Sequence, residues 1–129
     1  MAGMVLAFEV EAQYGCLVVR DSESVGDVGG WDPETAAWFV DRGSAIFAVR
    51  PGIEGLVRCE VWRNRPDVPL SQLLFSAVLD ISGSLQVEDP GGIVDARISF
   101  LRGARSVTVL VDDPSVASHV QVVVEDASS

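Results

Sequence analysis

From Ser44 onward, apolar residues alternate with polar ones in short runs, and each run stops at a cluster of Gly, Pro, Asp or Ser. Side chains of a strand point alternately to opposite faces, so such runs read as half-buried strands. Turns at this frequency leave too little chain between them for helices of ordinary length. In residues 56–63, Val57, Cys59 and Val61 are set against Arg58, Glu60 and Trp62; in 106–111, Val107, Val109 and Val111 alternate with Thr108 and Leu110. Residues 45–50 end at Pro51-Gly52, 93–101 follow the turn Asp89-Pro90-Gly91-Gly92, and 119–125 follow Asp112-Asp113-Pro114. Ser82-Gly83 is expected to join 73–81 to 84–88 as a tight hairpin.

Upstream, residues 5–10 alternate roughly, and 14–20 are apolar on both sides, the pattern of a covered strand. Gly15 is expected to mark a bulge. The sum is eight or nine short strands in an all-β, two-sheet β-sandwich, with residues 1–129 forming one domain large enough for a real core. One short helix is expected over residues 33–42. Asp32 suits the N-cap, Pro33 the first helical position, Glu34 the positive end of the dipole, and Gly43 the stop. Trp31 and Ala36 form a hydrophobic staple, and Ala36, Phe39 and Val40 face the sheets. Trp38 then lies off that face, beside Glu34 and Asp41.

The charge is lopsided. Nine Arg and no Lys stand against nineteen acids, a net charge of −10 and a pI near 4.3. Phosphate backbones and anionic membranes are repelled by such a field, whereas a basic partner is drawn in faster. Six of the acids, Asp21, Glu23, Asp27, Asp32, Glu34 and Asp41, fall in one stretch without a cation. Its first part, with Gly26, Gly29 and Gly30, reads as a flexible loop. Cys16 and Cys59 fall within strand-like runs and read as reduced core residues. Residues 1–8 lack a basic n-region, and no apolar run approaches a membrane span of about 20 residues, so a cytoplasmic location is expected. The tail after Asp126 is expected to fray.

Little catalytic apparatus is visible. His119 is the single histidine, Lys is absent, and no nucleophile elbow, phosphate loop or zinc spacing occurs. No spacing singles out a glycosidase carboxylate pair. Asp21, Glu23 and Asp27 with Gly26 lack the register of a calcium loop. The expectation is a non-enzyme without metal or cofactor.

Tyr14-Gly15-Cys16-Leu17-Val18-Val19 followed by Asp21-Ser22 resembles the second strand of the competence protein ComJ family. Trp31 with Glu34 three residues on, Gly43 to Phe47, Arg97-Ile98-Ser99-Phe100, and Gly103 before Val107-Thr108-Val109 resemble it in the same order. The likeness spans roughly residues 14–111. Trp38 or Phe39 replaces a glycine near the end of the family's helix, and residues 119–125 are unmatched. The resemblance implies a small cytoplasmic β-sandwich that inhibits a DNA-entry nuclease of the NucA type, or a related immunity protein.

Joined to the charge pattern, this makes Asp27, Asp32, Glu34, Trp38 and Asp41 the expected partner-binding residues, acids for the field and Trp38 as the anchor. The partner is a basic protein, a nuclease, with no direct nucleic acid or membrane contact. The alternatives are a carbohydrate-type ligand-binding β-sandwich that stacks sugar on Trp31 or Trp38, and a structural subunit assembling through a sheet edge.

Overall fold

The computed structural model describes residues 3–126. Its strands are β1 (Gly3–Val10), β2 (Cys16–Asp21), β3 (Trp38–Asp41), β4 (Ser44–Ala48), β5 (Val57–Arg63), β6 (Gln72–Ile81), β7 (Ser84–Glu88), β8 (Asp95–Ser99), β9 (Gly103–Val111) and β10 (His119–Asp126). They form two five-stranded sheets, one in the order β1-β5-β10-β9-β6 and the other β3-β4-β2-β7-β8. All pairings are antiparallel except β5 with β10, which run parallel. The expected β-sandwich is present.

Alternation builds the core. Val57, Cys59 and Val61 of β5, Val107, Val109 and Val111 of β9, and Val120, Val122 and Val124 of β10 face Leu17 and Val19 of β2, Phe47 of β4, and Leu85 and Val87 of β7. β-branched side chains are stiff and suit a pleated, buried surface, which is why valine dominates here. Cys16 and Cys59 are buried in two different clusters. Burial, and then the charge of Asp89, pushes the Cys16 thiol up to about 11, while burial and the Glu60 charge push Cys59 up to about 12. Both are therefore protonated core groups at neutral pH.

Four local expectations are corrected. The helix over 33–42 does not form. Asp32 does cap a turn, its carboxylate accepting from the Glu34 N–H at 3.0 Å, and the Ala36 N–H donates to the Asp32 carbonyl at 3.2 Å. That single turn stops there, because Trp38, Phe39 and Val40 gain more as strand β3 paired to β4. Trp38 and Val40 then face the other sheet, and Phe39 faces outward. This extra strand takes the number from the expected eight or nine to ten.

Ser82-Gly83 is not a hairpin within one sheet. It carries the chain from β6 in one sheet to β7 in the other. The buried Asp21 carboxylate fixes that crossing, accepting from both the Ser82 N–H and Oγ at 2.9 Å. The supposedly flexible loop before Trp31 is also tied down. Ser24 Oγ donates to the Arg42 carbonyl at 2.8 Å, and the Asp27 N–H donates to Asp41 Oδ2 at 2.7 Å. Gly26 sits so close to β3 that a Cβ there would lie 1.9 Å from the Asp41 carbonyl oxygen. Gly15, finally, belongs to the turn before β2 rather than to a bulge. The tail after Asp126 lies outside the described residues.

The turn between β3 and β4 consists of Arg42 (φ 40°) and Gly43 (φ 85°). Two-residue hairpins favour two positive-φ residues, but a side chain other than Asn, Asp or Gly is disfavoured there. Arg42→Asn is expected to raise stability by about 1 kcal/mol, read as a higher melting temperature. An unchanged or lower value would show that Arg42 is not strained.

Candidate protein-interaction surface

The residues expected to bind a partner divide into two groups along β3. Asp41, at its C-terminal end beside the β3–β4 turn, accepts the Asp27 N–H, while Asp27 Oδ1 accepts the Gly29 N–H at 2.8 Å. Asp32 and Glu34 share the turn that leads into Trp38 at the strand's other end. Three residue steps of a strand separate Trp38 from Asp41 by about 10 Å. The structure thus brings Asp27 to Asp41 and Asp32 to Glu34, but it does not gather all five on one face.

Trp38 has a structural task as well. Its ring stacks on Phe75 of β6, with centroids 5.0 Å apart and planes at 16°, and Phe75 in turn packs against Phe47. β3 and β6 are edge strands of opposite sheets, so this stack closes one side of the sandwich. Trp38 nevertheless remains 40% exposed. Trp31 and Phe39, with Val28, cover Cys16, Val18 and Ile46 on the outer face of the second sheet. The expected staple takes a polar form, the Trp31 indole N–H donating to the Ala36 carbonyl at 3.0 Å. The acidic segment from Asp21 to Ala37 is therefore a strap bound to the sheet beneath it. Asp21 turns inward to Ser82 and Asp27 caps Gly29, so these carboxylates do not converge. Among the described residues, no group of three or more His, Cys, Asp or Glu is placed to hold a metal.

Trp38→Ala is expected to destabilise the fold by about 2–3 kcal/mol through loss of buried ring area and the stack. Trp38→Phe, which keeps an aromatic face for Phe75, is expected to recover most of that in urea unfolding. Equal stability of wild type and the alanine variant would remove Trp38 from the sandwich edge.

A second polar centre, on the outer face of the first sheet, was not foreseen. The parallel register sets His119 beside Arg58 and Gln121 beside Glu60. Glu60, 7% exposed, accepts from Arg58 Nε, Trp62 Nε1 and His119 Nε2, each at 2.9 Å, and from Gln121 Nε2 at 3.1 Å. Gln121 also accepts the Leu70 N–H and donates to the Val68 carbonyl, which holds the loop after β5 against the sheet. The sequence shows Arg58, Glu60 and Trp62 on one face of β5, but not that β10 would lie beside it.

Burial pushes the Glu60 carboxyl upward, yet the hydrogen bonds from Trp62, Arg58, His119 and Gln121 outweigh it and hold the pKa at about 2, against an ordinary 4.5. Because the folded-state value is the lower one, the stabilisation is present above pH 4.5 and is lost as pH falls towards 2. It is on the order of 3 kcal/mol. Wild-type stability should fall over that window, while Glu60→Gln, already less stable at neutral pH, should lose less. Parallel curves for the two proteins between pH 6 and pH 2 would rule out Glu60 as the titrating group.

No protein-family profile matches the chain, and no curated protein sequence does. Among solved structures the chain is similar to ComJ from Bacillus subtilis, an inhibitor of the DNA-degrading activity of NucA. The TM-score is 0.70 at 13% identity, over 98% of this chain and 99% of that one. The fold is ComJ-like. The match extends past residue 111, into the region that the sequence resemblance left unmatched. At 13% identity it is the architecture that is shared.

Proposed function

We propose that this protein inhibits a basic DNA nuclease, as a ComJ-like inhibitor or an immunity protein. The observation that carries this reading is the end-to-end correspondence with a nuclease inhibitor in a chain of net charge −10. A nuclease must hold a phosphodiester, so its active-site cleft is positive. An acidic protein seated in that cleft competes with DNA by presenting carboxylates where phosphates would sit.

In this proposal Asp27, Asp32, Glu34 and Asp41, all on the strap or beside it, contribute the attracting field. Trp38, at the start of β3, contributes contact area through the part of its ring that Phe75 leaves open. The protein supplies no catalytic group. Its two protonated, buried thiols are compatible with the reducing cytoplasm, where we place it. The sugar-binding alternative is less well served, since Trp31 is spent on covering the sheet and Trp38 on stacking with Phe75.

The test is DNA degradation by purified NucA with increasing amounts of this protein. Inhibition is expected at about 50 mM salt and should weaken several-fold at about 0.5 M, where the Debye length is only a few Å. No inhibition at tenfold molar excess in low salt would count against the reading.

A further inference from the structure

One end of the sandwich carries apolar residues held out into solvent by loops that brace one another. Ile53 is 97% exposed at the tip of a 3-10 turn, Gly52–Glu54. Tyr14, 70% exposed, projects from the turn between β1 and β2, and Val116 is exposed between β9 and β10. Single exposed apolar side chains are ordinary, but several on adjoining loops form a patch.

The loops adjoin through backbone hydrogen bonds. The Gly52 N–H donates to the Ala12 carbonyl at 2.9 Å, Val49 to Gly15 at 2.9 Å, and Arg50 to Ala117 at 2.8 Å. Gly52 sits against Glu11, where an added Cβ would meet backbone at 3.3 Å. Pro51 and the bonds from Glu54 to Pro51 and from Gly55 to Gly52 fix the turn that presents Ile53. The isoleucine is therefore pre-positioned, and binding through it costs little ordering entropy.

Carboxylates predominate among the charged groups around this apolar tip. Glu11 and Glu54 flank it, and Asp112 and Asp113 lie on the neighbouring loop, all exposed. Burial pushes the Asp112 carboxyl up, but hydrogen bonds from Ser118 and the backbone outweigh it, and hydrogen bonds from Ser115 hold Asp113 down, so both carboxyls lie below the usual range. Of the two nearby cations Arg58 is paired with Glu60, while Arg50, which bonds the neutral Leu56 carbonyl, keeps its charge, so four carboxylates outnumber one uncompensated guanidinium at this end. The end is also continuous with the Trp38 end of β3, since the Ala48 N–H donates to the Ala37 carbonyl at 2.8 Å just before β4 enters these loops.

We propose that this loop end is the central contact of the inhibitory interface, with Ile53 entering an apolar recess in a cationic protein surface and Glu11 and Glu54 meeting the basic residues around it. The inference rests on the nuclease-inhibitor reading, and it adds Ile53 as the central anchor beside the contact area of Trp38. Apolar anchors at the centre of an interface dominate its affinity, whereas rim charges set the rate of encounter.

The test uses the full chain, NucA as probe, and the variants Ile53→Arg and Glu54→Gln. Because Ile53 is almost fully exposed, Ile53→Arg should melt at the wild-type temperature. It should weaken inhibition of NucA by about 30-fold or more. Glu54→Gln should slow association by about threefold and flatten its salt dependence. Tyr14→Ser supplies a second apolar variant, expected to weaken inhibition in the same direction. If wild type fails to inhibit NucA, the nuclease-inhibitor reading fails and takes this inference with it. If wild type inhibits and Ile53→Arg inhibits equally well, the reading stands and the loop end is overturned. Conversion of a wild-type dimer to a monomer by Ile53→Arg, with inhibition unchanged, would assign the patch to a second copy of this chain and also overturn it.

Discussion

The first sheet has no continuous hydrogen-bonded ladder without β10. The last strand lies between β5 and β9, and its Val120, Val122 and Val124 are in the centre of the core. β1 and β5 on one side, and β9 and β6 on the other, are joined into one sheet through it. The parallel pairing of β5 with β10 brings together residues about sixty apart in sequence. Such contacts form only after a long loop has been closed, so the sheet is completed by distant rather than local pairing.

The polar centre at Glu60 follows from that pairing. A carboxylate so nearly excluded from water would ordinarily be a liability, and it is tolerated because two donors come from β5 itself and two from the adjoining strand. His119, the one residue whose chemistry invites a catalytic reading, is thereby a hydrogen-bond partner to Glu60. The opposite sheet solves a related problem with apolar groups. Its outer face would expose Cys16, Val18 and Ile46, and Val28 and Trp31 of the acidic strap cover them together with Phe39 of β3, while Glu23, Asp27, Asp32 and Glu34 stay at the surface.

Surface chemistry follows from these constraints. The strap cannot move far without uncovering the sheet, and the loops at the Ile53 end cannot separate without breaking the bonds that link them to one another. Both acidic regions are consequently presented on rigid supports, which suits recognition of a partner with fixed shape. Trp38, at the start of β3, is stacked on Phe75 and partly open to solvent.

By itself the sequence determined the class of fold, the strands whose inner faces alternate cleanly, and the excess negative charge. Those depend on side-chain period and composition, which are local. Residues 56–63, 106–111 and 119–125 were legible as strands because valine and cysteine recur at every second position or in unbroken runs. Only the tertiary structure decided that Trp38–Asp41 is a strand, that Ser82-Gly83 crosses between sheets, and that His119 meets Glu60. In each case a partner far along the chain supplied the deciding interaction: Phe75 for Trp38, which is otherwise held by its hairpin neighbour β4, Asp21 for Ser82, and β10 for Glu60. Asp32 and Pro33 specify one helical turn, and no local rule can state that the residues after it gain more from an edge than from continuing the helix.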